Sequence, residues 1–289
     1  MMKLSHESKR RLGVGIGAFV LIIGLVFGTS RILIHFDEPW NLGAVAIDWP
    51  GKGSGNYSAR PQQLSSETFD ADAFTSLDLD VTSGTVEVKR VSGGPVRVIE
   101  SGRVAKGVSA SDAATQNLVE VKGSTLKIGQ FDCDDKRVID RTVTIELPRE
   151  VAENMAGITA NVGLGDLTVT GIACHDLDLT LDSGDVEFTG TVTDTLNAEV
   201  GLGDATFELN QAPVKSMDVS VGTGDVEITV PNSTGFKASL TLGCGDFESD
   251  FLPDNYDGEM VSGLEFDNGD KSATYRFEVG LGDMSFDSE

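Results

Sequence analysis

Six aspartates recur at one place in a repeated ten-residue pattern: Asp166, Asp185, Asp204, Asp225, Asp246 and Asp283, each preceded by glycine. The steps between them are 19, 19, 21, 21 and 37 residues, the last near twice the others. Stacked at the inter-strand spacing of about 4.8 Å, such carboxylates repel one another unless a proton or a cation intervenes, so Ca²⁺ is the chemistry they suggest. The D-x-D-x-D-G loop and the nonapeptide of calcium-binding β-rolls are both absent, so Ca²⁺ binding is expected to be weak. The plainer role is that each Asp caps its own turn in water.

Other reactive side chains are scattered. His6, His35 and His175, with Cys133, Cys174 and Cys244, lack zinc-ligand spacing. Cys133 lies in FDCDD, where the surrounding acids disfavour a thiolate nucleophile. Cys244 takes the place of Leu164, Leu202 and Leu281 in other copies and is expected in the core. A disulfide from Cys174 to Cys133 or Cys244 stays open. The repeating half offers Lys215, Lys237, Lys271 and Arg276 as bases, none in a motif beside paired acids. G-x-S-x-G, a phosphate-binding glycine loop and H-E-x-x-H are absent. No catalytic residue and no cofactor is assigned, and a Ca²⁺-dependent polysaccharide-active enzyme is the enzymatic alternative.

The elements that position these residues are read from alternation. Ile158, Ala160, Val162 and Leu164 lead into Gly165-Asp166, and Leu167 and Val169 lead away; Met217, Val219 and Val221 precede Gly224-Asp225, and Val226, Ile228 and Val230 follow. Strict period two marks half-buried strands. The step of three from Leu164 to Leu167 marks a corner, which needs glycine for backbone freedom and Asp for a local hydrogen bond. The fold class that follows is all-β, a β-helix-like β-solenoid of about 20-residue coils, each burying its inner face against its neighbours. Roughly eleven coils fit from Phe69 onward. The alternative is a twisted sandwich in which each Gly-Asp closes a hairpin. An earlier copy, LDVTSGTVEV at 79–88, has Thr85 in place of the acid. Less regular strands surround it at Leu77, Leu79 and Val81; Val96 and Val98; Val119 and Val121; Leu126 and Ile128; and Val143, Ile145 and Leu147. Residues 109–117 suit a single helical turn.

Charge and hydropathy place the chain. It carries 22 Lys+Arg against 46 Asp+Glu, a net charge of −24. Residues 150–289 hold 4 basic and 28 acidic residues, and 4 − 28 = −24 accounts for the whole excess. With no basic surface to displace counterions, nucleic acid is excluded as a partner. Residues 12–30 are 19 uncharged residues, LGVGIGAFVLIIGLVFGTS. As a helix they measure about 28 Å, enough to span a hydrocarbon core of about 30 Å. Lys9, Arg10 and Arg11 just before them place the N-terminus in the cytoplasm. A cleaved signal peptide is the alternative, since Gly28 and Ser30 are spaced like a cleavage site. The expected organisation is a cytoplasmic tail at 1–11, a transmembrane helix at 12–30, a juxtamembrane linker at 31–66 holding Trp40 and Trp49, and an extracytoplasmic β-strand-repeat domain at 67–289.

The strand–Gly-Asp–strand repeats, preceded by VEVKGSTLKI (119–128) and VTIELP (143–148) and joined to one N-terminal apolar segment, resemble the bacterial putative-adhesin β-strand-repeat family over about residues 66–289. The resemblance implies the fold and a place on the cell envelope, in some members beside envelope-stress systems. The family is a domain of unknown function and supplies no site residues. The expected role is a membrane-anchored, extracytoplasmic, non-catalytic binding, adhesion or scaffold module of the cell envelope, with an envelope protein or a basic ligand as partner. A regulatory partner in envelope-stress signalling is the alternative.

Overall fold

Alternating apolar residues become strands over most of the chain that the computed structural model describes, namely residues 56–129, 135–252, 262–269 and 272–289. The tail and apolar segment at 1–30, both tryptophans, His6, His35, Cys133 and Lys271 lie outside the described residues. Among the described residues, no helix is long and apolar enough to cross a membrane. The strands are β1 (Gln62–Phe69), β2 (Ser76–Ser83), β3 (Thr85–Val91), β4 (Val96–Val104), β5 (Val119–Lys122), β6 (Thr125–Ile128), β7 (Val138–Pro148), β8 (Met155–Leu164) and β9 (Leu167–Ser183). They continue as β10 (Val186–Leu202), β11 (Ala205–Gln211), β12 (Ser216–Thr223), β13 (Val226–Val230), β14 (Phe236–Cys244), β15 (Phe247–Glu248), β16 (Ser262–Asn268), β17 (Ala273–Leu281) and β18 (Met284–Ser288). Helix α1 (Ala110–Ala113), capped by Ser109, is the expected single turn, and α2 (Arg149–Ala152) is a second one that the sequence reading missed. The first strand begins inside the stretch read as linker.

The described residues form a solenoid. Consecutive copies pair in parallel at the repeat offset, as Leu167 with Val186 and Leu177 with Leu196, whereas hairpins at Gly-Asp would pair antiparallel. One parallel stack runs, in spatial order, through β6, β2, β8, the second halves of β9 and β10, then β12, β17 and β14. The other runs through β7, β3, the first halves of β9 and β10, then β11, β13, β18 and β15. Among the described residues these are eight rungs rather than the expected eleven, or seven steps of about 4.8 Å, roughly 34 Å. The difference arises because several segments do not coil: β4 lies antiparallel on β7, β5 on β6 and β16 on β14, and β1, ahead of the counted length, lies antiparallel on β4.

The spatial order departs from the sequence order at both ends. β2 and β3 sit between β6 with β7 on one side and β8 with β9 on the other. The C-terminal coil, β17 with β18, is inserted between β12 with β13 and β14 with β15. The step of 37 residues is therefore a place change in the stack.

The two corners of a coil differ. The Gly-Asp corner keeps one length throughout, and the opposite corner absorbs the variation in period. Where the step is 19 the chain crosses that second corner within one long strand, as in β9 and β10. Where the step is 21 it breaks into a loop, at 212–215 and again at 231–235.

Inner-face residues are buried as read, with two corrections. Ile158, Ala160, Val162, Leu167 and Val169 are all at most 2% accessible, but Leu164 is 39% and Leu281 46% exposed, and Cys244 is exposed. The inward spacing across the corner is thus five residues, from Val162 to Leu167, because the residue before the corner glycine points outward. Cys244 is not a core residue for that reason. Val121 is 37% exposed because β5 is an edge strand that, among the described residues, pairs only with β6. At the N-terminal end, buried Glu100 accepts hydrogen bonds from Thr115 N–H (3.0 Å) and Oγ1 (2.6 Å) and Ser65 Oγ (3.2 Å) and pairs with Arg141, tying β1, β4, β7 and the α1 loop together. The C-terminal end is filled by rings, with Phe236 stacked on Tyr275 at 5.1 Å and edge-on to Phe286 at 5.3 Å.

Corner glycine is obligatory at mid-stack. Gly203 has φ +138°, and a Cβ there would lie 2.0 Å from the Gly184 carbonyl oxygen. Backbone conformation and close approach both exclude a side chain. Gly203→Val is expected to cost roughly 3 kcal/mol or more, or to prevent folding, while Gly93→Ala, with open space around it, leaves the urea midpoint unchanged.

Candidate functional site

The six aspartates do form a column, in the spatial order Asp166, Asp185, Asp204, Asp225, Asp283, Asp246. Each carboxylate except that of Asp246, last in the column, reaches to the next coil instead of capping its own turn. Asp166 Oδ1 accepts the Asp185 N–H at 3.2 Å, Asp185 Oδ1 that of Asp204 at 2.9 Å, and Asp204 Oδ1 that of Asp225 at 2.8 Å. Asp225 Oδ1 then accepts from Asp283 at 2.8 Å, and Asp283 Oδ1 from Asp246 at 2.9 Å. Main-chain bonds run beside them, with Gly203 N–H donating to Thr223 O and Ala205 N–H to Asp225 O, both 2.9 Å. The expected self-capping is corrected for a geometric reason: at the corner, the nearest donor lies one rung along. Each pair of aspartates thus has a peptide N–H between its charges, which offsets part of their repulsion.

Sequence reasoning missed the row beside this column. Two residues after each corner Asp, or after Thr85 in the first copy, the outward side chain belongs to a second line. In spatial order it reads Thr144, Glu87, Thr168, Glu187, Thr206, Glu227, Ser285, Glu248. Hydroxyl and carboxylate alternate without exception, so successive carboxylates are two rungs apart, about 9.6 Å. Thr144 Oγ1 donates to Glu87 at 3.2 Å, and in the next line Thr189 Oγ1 donates to Glu208 at 3.2 Å. On the opposite sheet face Asp78, Thr159, Asp178, Asn197, Asp218 and Arg276 follow the same rule, with Arg276 3.3 Å from Asp218 and Lys127 paired with Asp78.

Two open depressions result. One, of about 490 Å³, runs between Asp204, Asp225, Asp283 and Asp246 on one side and Thr206, Glu227, Ser285 and Glu248 on the other. A second, of about 320 Å³, lies on the opposite face among Asp178, Asn197, Glu199, Asp218, Arg276 and Glu278. Among the described residues, no three His, Cys, Asp or Glu side chains converge as a metal cage. The candidate cation ligands therefore stand as a column with an N–H at each rung.

The recurring coil, its Gly-Asp corner and its two faces now have a counterpart: residues 53–285 match the family model of Toastrack DUF4097. The chain belongs to the Toastrack DUF4097 family. Among solved structures, it is similar to a "putative cell adhesion protein" from Clostridium sporogenes, at 14% identity over 80% of this chain and 100% of that one, with a TM-score of 0.42. It is also similar to a "putative adhesin" from Bacteroides fragilis, at 14% identity over 79% and 98%, with a TM-score of 0.36. A "putative lipid binding protein" from Parabacteroides distasonis is 9% identical over 79% and 98%, with a TM-score of 0.28. No curated protein matches the chain.

The remaining reactive groups of this Toastrack domain are placed singly. Cys174 is buried, and burial, with a smaller push from Asp176, raises its thiol pKa to about 12, which leaves it unreactive. Cys174 and Cys244 are both free thiols. His175 Nδ1 lies 3.0 Å from Thr193 Oγ1 at the surface. Lys215 is 2.7 Å from Asp194, whose carboxyl is held below its ordinary pKa chiefly by that hydrogen bond. Asp287 moves the other way: burial, then Asp250, Glu248 and Glu227, raise its pKa.

Two predictions follow from these arrangements. Asp204→Asn keeps an oxygen acceptor for Asp225 N–H and removes one charge, so stability should hold or rise, whereas Asp204→Ala should lose about 1 kcal/mol in urea unfolding. A Ca²⁺-specific rise in Tm beyond that given by Mg²⁺, abolished by Asp204→Asn, would instead make the column a cation site. For Asp287 the folded pKa lies above the unfolded one, so its charged form is a cost at neutral pH that vanishes as pH falls through the raised value. Asp287→Asn should therefore stabilise at pH 7, with the gain gone below about pH 4.

Proposed function

We propose that the chain is a non-catalytic binding and scaffold module of the cell envelope, anchored by residues 12–30 with the β-solenoid outside the cytoplasmic membrane, and that its outer faces take a basic peptide or protein. The observation that carries this reading is the hydroxyl–carboxylate row. Its charges sit on the backbone of a stacked sheet, held at about 9.6 Å intervals, so a partner meets them at fixed spacing with little ordering still to be done. The net charge of −24 on residues 150–289 adds long-range attraction for cations and repels anionic lipid headgroups. Solenoids offer such extended surfaces to large partners. At roughly 34 Å of stack, contact close to the membrane suits this module better than long-range adhesion.

The test uses the full-length chain in detergent and a fluorescent lysine-rich peptide. Affinity should fall steeply between low and physiological salt, and the triple variant Glu187→Gln, Glu227→Gln, Glu248→Gln should weaken binding at low salt without lowering Tm. Binding indifferent to salt, or unchanged in the triple variant, would remove the row from the function.

A further inference from the structure

The C-terminal coil occupies an internal slot, and the main-chain ladder that holds it there is one that any coil of this register makes. On one side β17 pairs with β12, Ser216 to Thr223 against Thr274 to Leu281; on the other it pairs with β14, Phe236 to Cys244 against Ala273 to Leu281. Gly224 N–H donates to Leu281 O and Gly282 N–H to Cys244 O, both 2.9 Å, and Val226 N–H donates to Asp283 O at 2.9 Å. These repeat the bonds between coils that are contiguous in sequence, such as Gly203 N–H to Thr223 O at 2.9 Å. None of them requires the occupant to belong to the same chain.

The slot also has a strong demand for an occupant. Tyr275, Phe277, Met284 and Phe286 of the inserted coil are at most 2% accessible. Phe286 lies 5.1 Å from Phe277 and 5.1 Å from Phe251, and Tyr275 Oη donates to Pro213 O at 2.8 Å across the second corner. An empty slot exposes the ring of Phe236 and separates β12 from β14. If the flanking coils closed on each other instead, Glu227 and Glu248 would become neighbours on adjacent rungs. Because the segment follows both flanking coils in sequence but sits between them, those coils must already be in place, or part to admit it.

We infer that the slot between β12–β13 and β14–β15 is a receptor for a strand–Gly-Asp–strand segment, filled in one chain by its own β17–β18 and, between chains, by the same segment of a second copy. The recognition is β-strand addition on both sides at once, and the exchange yields a dimer by swapping an identical element. This inference does not depend on the acidic faces binding anything.

The test uses the full-length chain in detergent. In Gly282→Val the chain's own coil cannot seat, since a Cβ at position 282 would lie 1.9 Å from the Gly224 carbonyl oxygen. A dye-labelled synthetic peptide of residues 272–289 should be captured by this variant, one per chain, with recovery of its Tm, while the same peptide carrying G282V should not. A folded variant that leaves the peptide free overturns the inference. Should that variant fail to fold, isotopically heavy and light wild-type chains decide: unfolded and refolded together at rising concentration they should give mixed dimers, and mixed while folded they should not. Monomers alone after joint refolding, or mixed dimers formed equally without unfolding, overturn it.

Discussion

The corner glycine sets the terms for everything else in this solenoid. Where the next coil would need room for a Cβ, it meets the carbonyl oxygen of the previous glycine at about 2 Å, so the coils approach as closely as backbones can. That contact keeps the corner at constant length and brings each Asp within reach of the next coil's N–H. It also aligns every inner-face residue with its counterpart one rung away. Stacked rows of Val, Leu and Ile, and the aromatic fill near the C-terminus, are consequences of that register.

Close stacking makes charge a problem, and the chain meets it in two ways. At the corner, carboxylates occupy successive rungs, and each accepts a peptide N–H from the next. On the flat faces no such donor is available, because the strand N–H groups are used in the ladders, and there acids are separated by Thr, Ser or Asn. Like charges directly opposite on neighbouring strands destabilise a sheet. The position of the C-terminal coil fits this rule, since Ser285 separates Glu227 from Glu248, which would be adjacent in a stack built in sequence order.

Much of this was legible in the residues. Alternation and a fixed period called for stacked strands, and Gly-Asp marked the corner. The errors came from local geometry that hydropathy does not encode. Leu164 and Cys244 look inward by type, yet the corner turns their side chains out; the Asp side chain has a turn donor nearby in sequence, yet a better-placed one in the next coil. Dividing the length from Phe69 by the period overestimates the number of coils, because β4, β5 and β16 within that length pair antiparallel instead of coiling. The hydroxyl–carboxylate row did have a sequence signal: the residue two after the corner acid alternates as Thr168, Glu187, Thr206, Glu227 and then breaks at Glu248 and Ser285. Exchanging the last two coils restores it.

The unequal corners give the domain two edges of different character. Along the glycine edge a single added atom is refused, so that side is closed to variation in length. Along the other, loops such as 212–215 and 231–235 already differ in size without disturbing the rungs between them. New segments can therefore be spliced into any coil on that edge, and successive insertions would project side by side at rung spacing, making the fold a rack on which unrelated peptides can be hung in a chosen order.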